Sequence, residues 1–547
     1  MVTDHWLGYP VPARRREALG VDRIVSCFAE RPASVHALFA RAVAERPTHE
    51  ALVSDDGRWT YAEAQREVTR IAAGLAGLGV GRGDRVALLL GNRAAFVFVL
   101  FALQRVAAIT VPIGVREQRP GVAWMMAQCG ACAIVFDGER ADRVPGDGEV
   151  PSLRWRIAVD SDGTATGTLA LGRLGANEPG LDHAVDVAEQ DTAVILYTSG
   201  TTGSPKGAML SHLNIAHSVL HFAACMRLGP DDRGALAVPA SHVTGLIATI
   251  AAMVHVKATI VVLAEFKAAD FLARIEAERV THTLMVPAMY KLCLLAPDFA
   301  RRDLGSWRIG GYGGAPMPVA TIDALAEALP SLVLVNAYGA TETTSPTTMM
   351  PAGQTRAHAD TVGVALPCAE LVVMDDAGRQ VGAGETGELW IGGPMVVPGY
   401  WDNAAASAAS FTAGFWHSGD LGSIDREGYV RIFDRKKDML NRGGFKIYSV
   451  EVENVLMGYP GIVEAAIVAR PCPVLGERVH AFVHAPGIAC DDEAVRAHCA
   501  ARLADYKVPE TITWSETPLP RNANGKLMKR SLRDAILAID PPSPSPA

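Results

Sequence analysis

The sequence predicts an α/β protein with a large N-terminal domain of packed αβ subdomains and a smaller α+β domain at its C-terminal end. Between about residue 30 and residue 365, short apolar runs alternate with amphipathic segments of helical period. This alternation is typical of parallel sheets that are covered by helices on both faces. The apolar runs carry few polar residues, as expected for strands that are buried on both sides. After about residue 365 the pattern changes to hairpin-like strands, which predict a small β subdomain.

The boundaries of the strands follow from the Gly, Pro or Asp residues that flank each apolar run. We predict strands at residues 85–90, 131–137, 193–199, 258–264, 282–287 and 332–339, two more within 370–393, and one at 429–434. Apolar residues at helical spacing predict a helix at 270–280 and another near 491–504.

A charged string, Arg435-Lys436-Lys437-Asp438, separates the β subdomain from a new αβ pattern, and we place the domain boundary there. The predicted organisation is an irregular N-terminal extension at 1–30, an N-terminal domain at 31–435 and a C-terminal domain at 436–538. Residues 539–547 are rich in Pro and Ser and are predicted to be a disordered tail.

Composition narrows the class of protein. The 547 residues are 49% hydrophobic and 20% charged, which is typical of a folded globular chain. A net charge of −8 argues against a nucleic-acid binder. The nine cysteines are scattered, so we expect buried free thiols and a reducing compartment. No apolar run reaches the ~18 residues of a membrane span, and Arg14–Arg16 precede no apolar signal segment. We therefore expect a cytoplasmic protein.

A loop of hydroxyl and glycine residues follows the strand predicted at 193–199. Residues 198–204 are all Ser, Thr or Gly, and Pro205, Lys206 and Gly207 come next. Glycines let backbone amides approach an anion, hydroxyls donate hydrogen bonds, and a lysine supplies charge. The loop is not a Walker A motif, because Gly207 and not Ser or Thr follows the lysine. It predicts a phosphate-binding site.

The run YTSGTTGSPKG, from Tyr197 to Gly207, resembles the phosphate loop of the adenylate-forming superfamily, which includes acyl-CoA synthetases, firefly luciferases and peptide-synthetase adenylation domains. Further matches follow in the family's order over roughly residues 35–535. The resemblance implies an AMP-binding N-terminal domain and a small, mobile C-terminal domain. It also implies that ATP phosphates bind Thr198, Ser199, Gly200, Thr201, Thr202, Gly203 and Lys206.

The segment Tyr338-Gly339-Ala340-Thr341-Glu342 resembles the family's YGxTE motif. The resemblance implies that Tyr338 and Gly339 lie near adenine, that Thr341 contacts the α-phosphate and that Glu342 coordinates Mg²⁺. Magnesium binds one or two carboxylates together with phosphate oxygens, which agrees with such a role.

Three further segments resemble binding elements of the family. Gly313, Gly314, Ala315 and Pro316 resemble the segment that lines adenine and the acyl pocket. Asp420 lies in WHSGD, where Ser418 replaces the usual Thr, and would bind the ribose hydroxyls. His242 lies where the family has a residue that guards the acyl carboxylate.

The C-terminal part carries the remaining matches. Arg435 and Lys437 resemble the family's contact to ribose or phosphate and its hinge, and Gly443 and Gly444 resemble the loop that lines the pantetheine tunnel. Lys526, in PRNANGK, resembles the lysine that stabilises the adenylation transition state.

The resemblance implies an acyl-CoA synthetase: carboxylate, ATP and CoA are converted to acyl-CoA, AMP and pyrophosphate through an acyl-adenylate. ATP, Mg²⁺ and coenzyme A are the expected cofactors. The segment 239–245 has no Asp to hold an amino group, and no Arg or Lys is placed for a second carboxylate. We therefore expect a fatty or aromatic monocarboxylic acid.

Two alternatives stay open at this stage: an adenylating enzyme that loads a carrier protein, and a non-catalytic regulatory protein on the same fold. The sequence does not tell the acid's identity, the regulation or the oligomeric state, for which a homodimer is allowed. His217 and His221 have metal-ligand spacing, but no Glu of the HExxH type accompanies them, so we predict no metal there.

Overall fold

The computed structural model describes residues 5–19, 23–160, 167–176, 183–198, 205–487, 491–521 and 527–539. The chain forms two compact units. The first unit contains residues 1–372, 390–417 and 426–430, and the second contains 373–389, 418–425 and 431–547. The predicted α/β class is confirmed, with a large N-terminal part and a smaller C-terminal part.

Strands and helices alternate through most of the described chain. In chain order the strands are β1 (Arg14–Leu19), β2 (Arg23–Phe28), β3 (Glu50–Ser54), β4 (Gly57–Thr60), β5 (Arg85–Leu89), β6 (Ile109–Pro112), β7 (Ala133–Asp137), β8 (Trp155–Val159), β9 (Thr168–Ala170), β10 (Thr192–Thr198), β11 (Lys206–Ser211), β12 (Arg233–Leu236), β13 (Thr259–Val262), β14 (His282–Met285), β15 (Ile309–Tyr312), β16 (Val333–Tyr338), β17 (Thr348–Met349), β18 (Val364–Ala365), β19 (Glu370–Met374), β20 (Gly387–Gly392), β21 (Phe411–Thr412), β22 (Phe415–Ile424), β23 (Val430–Arg435), β24 (Leu440–Arg442), β25 (Phe445–Ile447), β26 (Glu464–Cys472), β27 (Gly476–His484) and β28 (Thr511–Ser515). The helices are α1 (Val35–Glu45), α2 (Tyr61–Gly77), α3 (Ala94–Arg105), α4 (Arg119–Cys129), α5 (His212–Cys225), α6 (Ala252–His255), α7 (Ala268–Glu278), α8 (Pro287–Leu294), α9 (Val319–Ala328), α10 (Ala404–Ser410), α11 (Ser449–Met457), α12 (Asp492–Ala500) and α13 (Lys529–Ile539).

Two large sheets organise the first unit. One has the order β11-β10-β6-β5-β7-β8-β9 and the other the order β18-β17-β16-β15-β14-β12-β13-β3-β4. The strands at the centre of each sheet pair in parallel, as predicted. The largest hydrophobic core takes side chains from both sheets and from α2, α3 and α5, and smaller cores lie beneath α4 and beneath α7 to α9. The apolar runs of the sequence are therefore strands buried on both faces.

Local sequence positions the helix that follows the glycine-rich hairpin. Ser211 caps α5: its hydroxyl accepts from the Asn214 amide at 3.1 Å, and the Asn214 side chain accepts from the Ser211 amide at 2.9 Å. The Asn214 side-chain amide also donates to the carbonyls of Pro394 and Val396, at 2.7 and 3.1 Å. This contact fixes the segment before Tyr400 against the start of α5.

Smaller sheets complete the fold. Strands β19 to β23 form a sheet in the order β19-β20-β22-β21 with β23 beside β22, which is the predicted small β subdomain. In the second unit β25, β24, β27 and β26 are adjacent in that order, and β28 pairs with β27. Helices α11 and α12 cover one core there, and α13 packs against β26 over another.

The N-terminal residues differ from the prediction. Residues 14–28 were expected to be irregular, but β1 and β2 form an antiparallel hairpin. Cys27 packs against Leu213 in a small core, and Phe28 is fully buried against Leu220. The strand β1 was not predicted because its sequence, RRREAL, is mostly charged. Its Glu17 accepts hydrogen bonds from Arg31, a residue outside the hairpin.

The predicted domain boundaries stay a prediction. Of the segments before residue 431, 373–389 and 418–425 belong to the second unit. The tail is outside the described residues except for the end of α13. In the part of the chain that the structure describes, no helix is both long and apolar enough to cross a membrane. The cysteines there are buried free thiols.

Candidate functional site

Three predicted site segments of the first unit follow the carboxyl ends of parallel strands in the same sheet. His242 comes after β12, Gly313 after β15 and Tyr338 to Glu342 at the end of β16. In open α/β sheets this edge is where ligands bind, because the loops there are free of the sheet's hydrogen-bond ladder. The topology thus places residues far apart in sequence along one edge.

Glu342 lies in a short helical turn, Thr341–Thr343, directly after β16. Its side chain is buried, and its Oε1 accepts hydrogen bonds from the Tyr400 hydroxyl at 3.0 Å and from Thr198 Oγ1 at 3.4 Å. No described residue donates to Oε2. Both described hydrogen bonds to the carboxylate therefore end on the same oxygen.

The turn that carries Glu342 is braced from within. Thr343 Oγ1 accepts from the Ala340 amide at 3.0 Å and donates to the Ala340 carbonyl at 3.1 Å. A Cβ on Gly339 would lie 3.1 Å from Pro346 Cα and from Thr343 Oγ1, so the chain is tight there. Tyr338 packs its ring against a core that includes Ile391. Thr341 and Glu342 are thus held at fixed positions after the strand.

Strands β10 and β11 form the hairpin that carries the glycine-rich loop. Thr198 is paired with Lys206, and Thr198 Oγ1 lies 3.4 Å from the Lys206 carbonyl oxygen. The loop itself, with the predicted residues Ser199, Gly200, Thr201, Thr202 and Gly203, lies outside the described residues. The Lys206 Nζ atom lies 5.0 Å from the centroid of the Tyr400 ring. The structure thus brings Thr198, Lys206 and Glu342 around one tyrosine.

Tyr400 was not found by sequence reasoning. It contacts the predicted residues only through the fold, since it is 58 residues from Glu342. The only local signal is an aromatic pair, Tyr400-Trp401, after Pro398-Gly399. Beside the hairpin lies a cleft of about 540 Å³ whose lining includes Lys206, Trp124 and Trp401.

Gly313 allows two strands to approach closely. A Cβ on this residue would lie 2.4 Å from the Ala337 carbonyl oxygen of β16. Gly314, Ala315 and Pro316 follow in an exposed loop. Tyr312, which precedes Gly313, is buried in a core with Met285 and Trp307. Burial raises the pKa of Tyr312, as expected for a phenol inside a core.

His242 precedes a helix with π-type hydrogen bonds, Thr244–Ala251, whose residues 245–251 are all buried. The ring Nδ1 of His242 lies 3.2 Å from Thr244 Oγ1 and accepts from the Thr244 amide at 3.3 Å. The backbone here is compact, since a Cβ on Gly245 would lie 2.3 Å from the Pro239 carbonyl oxygen. His242 is half-buried, at the start of an apolar helix.

In the second unit, Asp420 and Arg435 form an ion pair. Arg435 Nε lies 2.7 Å from Asp420 Oδ1, and the Asp420 side chain is buried. The Asp420 amide donates to Ser418 Oγ at 3.0 Å, and Ser418 Oγ donates to the Leu389 carbonyl at 2.7 Å. Ser418 therefore supplies the hydroxyl that the family's usual Thr would supply, and two of the predicted ribose ligands lie side by side.

The predicted pantetheine loop is a tight hairpin. Gly443 and Gly444 join β24 to β25 with φ of +59° and +93°, which favours glycine at both positions. The Gly444 amide donates to the Asn441 side chain at 3.0 Å. Lys437 is exposed, and its carbonyl accepts from Arg533 Nη2 at 3.2 Å. Lys526 lies outside the described residues.

A buried ionic network next to this region also escaped sequence reasoning. Lys529 Nζ lies 2.6 Å from Glu453 Oε1 and 2.6 Å from Ser449 Oγ, and Ser449 Oγ donates to Asp434 at 3.0 Å. Burial raises the pKa of Glu453 and of Asp434. The network joins the end of β23 to the starts of α11 and α13, over a sequence distance that no local motif spans.

Among the described residues of the predicted site, Glu342 is the candidate metal ligand. Glu342 presents a carboxylate oxygen without a described partner, which fits a cation that takes one or two carboxylates and phosphate oxygens. His217 has both ring nitrogens engaged: Nε2 accepts from the Phe28 amide at 3.1 Å and Nδ1 lies 3.0 Å from the Leu213 carbonyl. Among the described residues no group of three or more His, Cys, Asp or Glu side chains is arranged to hold a metal ion.

Comparisons with known proteins identify the family. The model of the AMP-binding enzyme family matches residues 39–401, and the model of the AMP-binding enzyme C-terminal domain matches residues 451–526. A feruloyl-CoA synthase of Amycolatopsis is 33% identical over 482 residues, which cover 87% of this chain and 93% of that protein. A long-chain-fatty-acid–CoA ligase of Mycobacterium tuberculosis is 32% identical over 495 residues, which cover 89% of this chain and 95% of that protein.

The fold gives the same result. The crystal structure of an anthranilate CoA ligase in complex with anthranoyl-AMP superposes with a TM-score of 0.87 at 26% identity, covering 92% of this chain and 98% of that one. The predicted resemblance to the adenylate-forming superfamily is therefore confirmed, and the chain belongs to the AMP-binding enzyme family of acyl-CoA synthetases and ligases.

Proposed function

We propose that this protein is an AMP-forming acyl-CoA ligase that uses Glu342, Thr198 and Lys206 in its adenylation site. The observation that carries the proposal is that Tyr400 contacts both Glu342 and Lys206, while Thr198 Oγ1 donates to the same Glu342 oxygen. Thr198 and Lys206 come from one sheet of the first unit and Glu342 follows a strand of another, and the two groups were predicted from separate motifs. ATP, CoA and a carboxylic acid are the substrates that such a ligase consumes.

The reaction has two steps. A carboxylate oxygen of the acid attacks the α-phosphorus of ATP, the bond to the β-phosphate breaks, and pyrophosphate leaves. Lys206 and Thr198 would bind the phosphates, since a preorganised cation and hydroxyl stabilise the charge that develops on them. Glu342 would hold Mg²⁺, which supplies charge neutralisation between phosphate groups when bound.

In the second step the thiolate of CoA attacks the carbonyl carbon of the acyl-adenylate, and AMP leaves. Asp420 and Arg435 would bind the ribose, and the Gly443–Gly444 hairpin would line the path of the thiol. Lys526 would act in the first step, and Lys437 would be the hinge between the steps. These roles rest on the matching motifs, and the adenylate has to be shielded from water because a mixed anhydride hydrolyses.

An apolar monocarboxylic acid is the substrate class that the chain supports best. Residues 245–251, after His242, are buried and mostly aliphatic. The relatives include a feruloyl-CoA synthase and a long-chain-fatty-acid–CoA ligase, so an aromatic and an aliphatic acid are both represented among them. We propose a fatty or aromatic acid without a second carboxylate. The homodimer and the cytoplasmic location stay predictions.

The proposal is tested by measuring AMP release from the full chain with a panel of fatty and aromatic acids, with and without CoA. We expect AMP release that requires both the acid and CoA. Lys526→Ala should abolish acid-dependent ATP–pyrophosphate exchange yet keep thioester formation from supplied acyl-AMP, whereas Lys291→Ala, an exposed lysine on α8, should change neither.

Two results would favour the alternatives. AMP release with a holo-carrier protein but not with CoA would indicate a carrier-loading enzyme. An absence of exchange with every acid would indicate a non-catalytic protein.

A further inference from the structure

Tyr400 lies between two predicted ligands of opposite charge, Glu342 and Lys206. Its hydroxyl donates to Glu342 Oε1 at 3.0 Å, and its ring centroid lies 5.0 Å from Lys206 Nζ. We propose that Tyr400 is a positioning residue of the adenylation step, which orients the carboxylate through its hydroxyl and the ammonium group through its ring. The inference rests on the proposed function and adds a residue that no motif assigned.

The hydroxyl of Tyr400 fixes the orientation of the Glu342 carboxylate. Both described hydrogen bonds to this carboxylate end on Oε1, and Oε2 has no hydrogen-bond donor among the described residues. A phenol keeps its proton at neutral pH, since its ordinary pKa is about 10, so the hydroxyl of Tyr400 is a donor to the carboxylate. A hydrogen bond to a charged acceptor is stronger than one between neutral groups. Tyr400 thereby holds Oε2 ready for a cation.

The ring acts on the lysine. An ammonium group within about 6 Å of an aromatic centroid is attracted by the ring's negative face, and the attraction grows when water is excluded. Tyr400 is 5% exposed, so water has little access to this ring. The ring thus biases a long, flexible side chain toward one side of the hairpin before a nucleotide is bound.

The backbone of Tyr400 is fixed to the same hairpin. Tyr400 forms a bridge with Ala208 of β11, and the Trp401 amide donates to the Gly207 carbonyl at 2.7 Å. The Tyr400 amide donates to Ser407 Oγ at 2.9 Å. The segment around Tyr400 is therefore attached by backbone contacts to β11, the strand that carries Lys206.

The Tyr400 side chain thus orients both charged groups, the Glu342 carboxylate and the Lys206 ammonium group, before the substrate binds. Groups that are oriented in advance do not have to reorganise when the transition state forms, which is the main source of electrostatic catalysis. Loss of the hydroxyl should impair the cation-dependent part of nucleotide binding, and loss of the ring should impair the part that does not need a cation.

Two variants separate these contributions. Tyr400→Phe keeps the ring and removes the hydroxyl, and Tyr400→Leu removes both. We expect Tyr400→Phe to raise the Mg²⁺ concentration for half-maximal ATP–pyrophosphate exchange roughly tenfold, as for one charge-assisted hydrogen bond. Calorimetric titration with ATP should show the same loss with Mg²⁺ and no change without it. Tyr400→Leu should weaken ATP binding under both conditions.

Tyr61→Phe is the matched control, because the Tyr61 hydroxyl is buried and donates to the Ala258 carbonyl at 2.7 Å, with no link to the predicted site. It should change neither measurement. In a Glu342→Gln background, Tyr400→Phe should have no further effect on the Mg²⁺ dependence, since the two residues then no longer act together.

A Tyr400→Phe protein with the Mg²⁺ dependence of the parent in both assays overturns the inference. So does an equal loss in the Glu342→Gln background. If the parent protein shows no exchange with any acid, the proposed function fails, and the calorimetric titrations still decide the role of Tyr400.

Discussion

Gly313 is a residue at which one methyl group would disturb the predicted site. A Cβ there would lie 2.4 Å from the Ala337 carbonyl oxygen, which belongs to backbone and cannot rotate away. Strands β15 and β16 would have to separate just where residues 313–316 and 339–342 begin. Overpacking of this kind costs about 1–3 kcal/mol.

We therefore predict that Gly313→Ala lowers the free energy of unfolding in urea by about 1–3 kcal/mol and reduces ATP–pyrophosphate exchange. Gly229→Ala is the control, because a Cβ there meets nothing within 4 Å. Equal free energies of unfolding for the two variants would contradict this prediction, because they would show that β15 and β16 can separate without cost.

At the scale of single residues, the sequence predicted those site residues that lie in a recognisable local motif. Thr198, Lys206 and Glu342 were predictable because they lie in short motifs. Such combinations of Gly, Ser, Thr and charged residues rarely occur for structural reasons alone. Tyr400 was not, because an aromatic residue after Pro-Gly has many uses and its partner is 58 residues away. The same is true of Lys529, whose partner Glu453 lies on another helix.

At the scale of elements, α13 is held by charge as well as by packing. Lys529 at its start pairs with Glu453 at 2.6 Å, with side chains 14% and 12% exposed. Removing one partner of a buried pair leaves the other charge uncompensated, which costs about 3–5 kcal/mol. Lys436, by contrast, pairs with the exposed Asp376.

We predict that Lys529→Met lowers the stability of the second unit by about 3–5 kcal/mol in urea unfolding followed by tryptophan fluorescence. Lys436→Met should cost less than about 1 kcal/mol, as for a surface pair. The double variant Lys529→Met/Glu453→Leu should recover part of the loss, since the Glu453 carboxylate is then no longer buried without its counterion. A double variant less stable than Lys529→Met would contradict the ionic explanation.

Most elements were predictable because the central strands are apolar runs ended by Gly, Pro or Asp. The strands predicted at 85–90, 282–287 and 332–339 correspond to β5, β14 and β16. The β1–β2 hairpin was missed, because its first strand is charged and is stabilised through Arg31 by Glu17 and Glu189. The π-type hydrogen bonds of residues 244–251 have no periodicity that differs clearly from that of an α-helix.

At the scale of the whole molecule, buried histidines make the fold sensitive to acid. Burial lowers the pKa of His212, His217 and His282 from 6.5 to about 4, and that of His221 to about 3. The unfolded chain takes up these protons near pH 6.5, whereas the folded chain resists them until about pH 4. Their contribution to stability is therefore complete above pH 6.5 and is lost as the pH falls toward 4.

We predict that the urea midpoint of the first unit falls steadily from pH 7 to pH 4.5. His282→Leu should flatten this dependence, because neither ring nitrogen of His282 has a partner among the described residues and an apolar side chain removes its proton uptake. It should also leave stability at pH 7 equal or higher. His217→Leu should lower it at every pH, since the Phe28 amide then loses its acceptor. A midpoint that does not vary with pH would contradict the assignment.

The N-terminal hairpin has a consequence for synthesis of the chain. Phe28 donates its amide to His217, 189 residues later, and both strands cover side chains of α5. At ~5–20 residues per second, roughly 10–40 s pass on the ribosome between the two. During that interval Cys27 and Phe28 lack the α5 side chains that bury them, so the nascent hairpin exposes apolar surface. Slow codons between residues 28 and 217 would lengthen this exposure and lower the yield of folded protein.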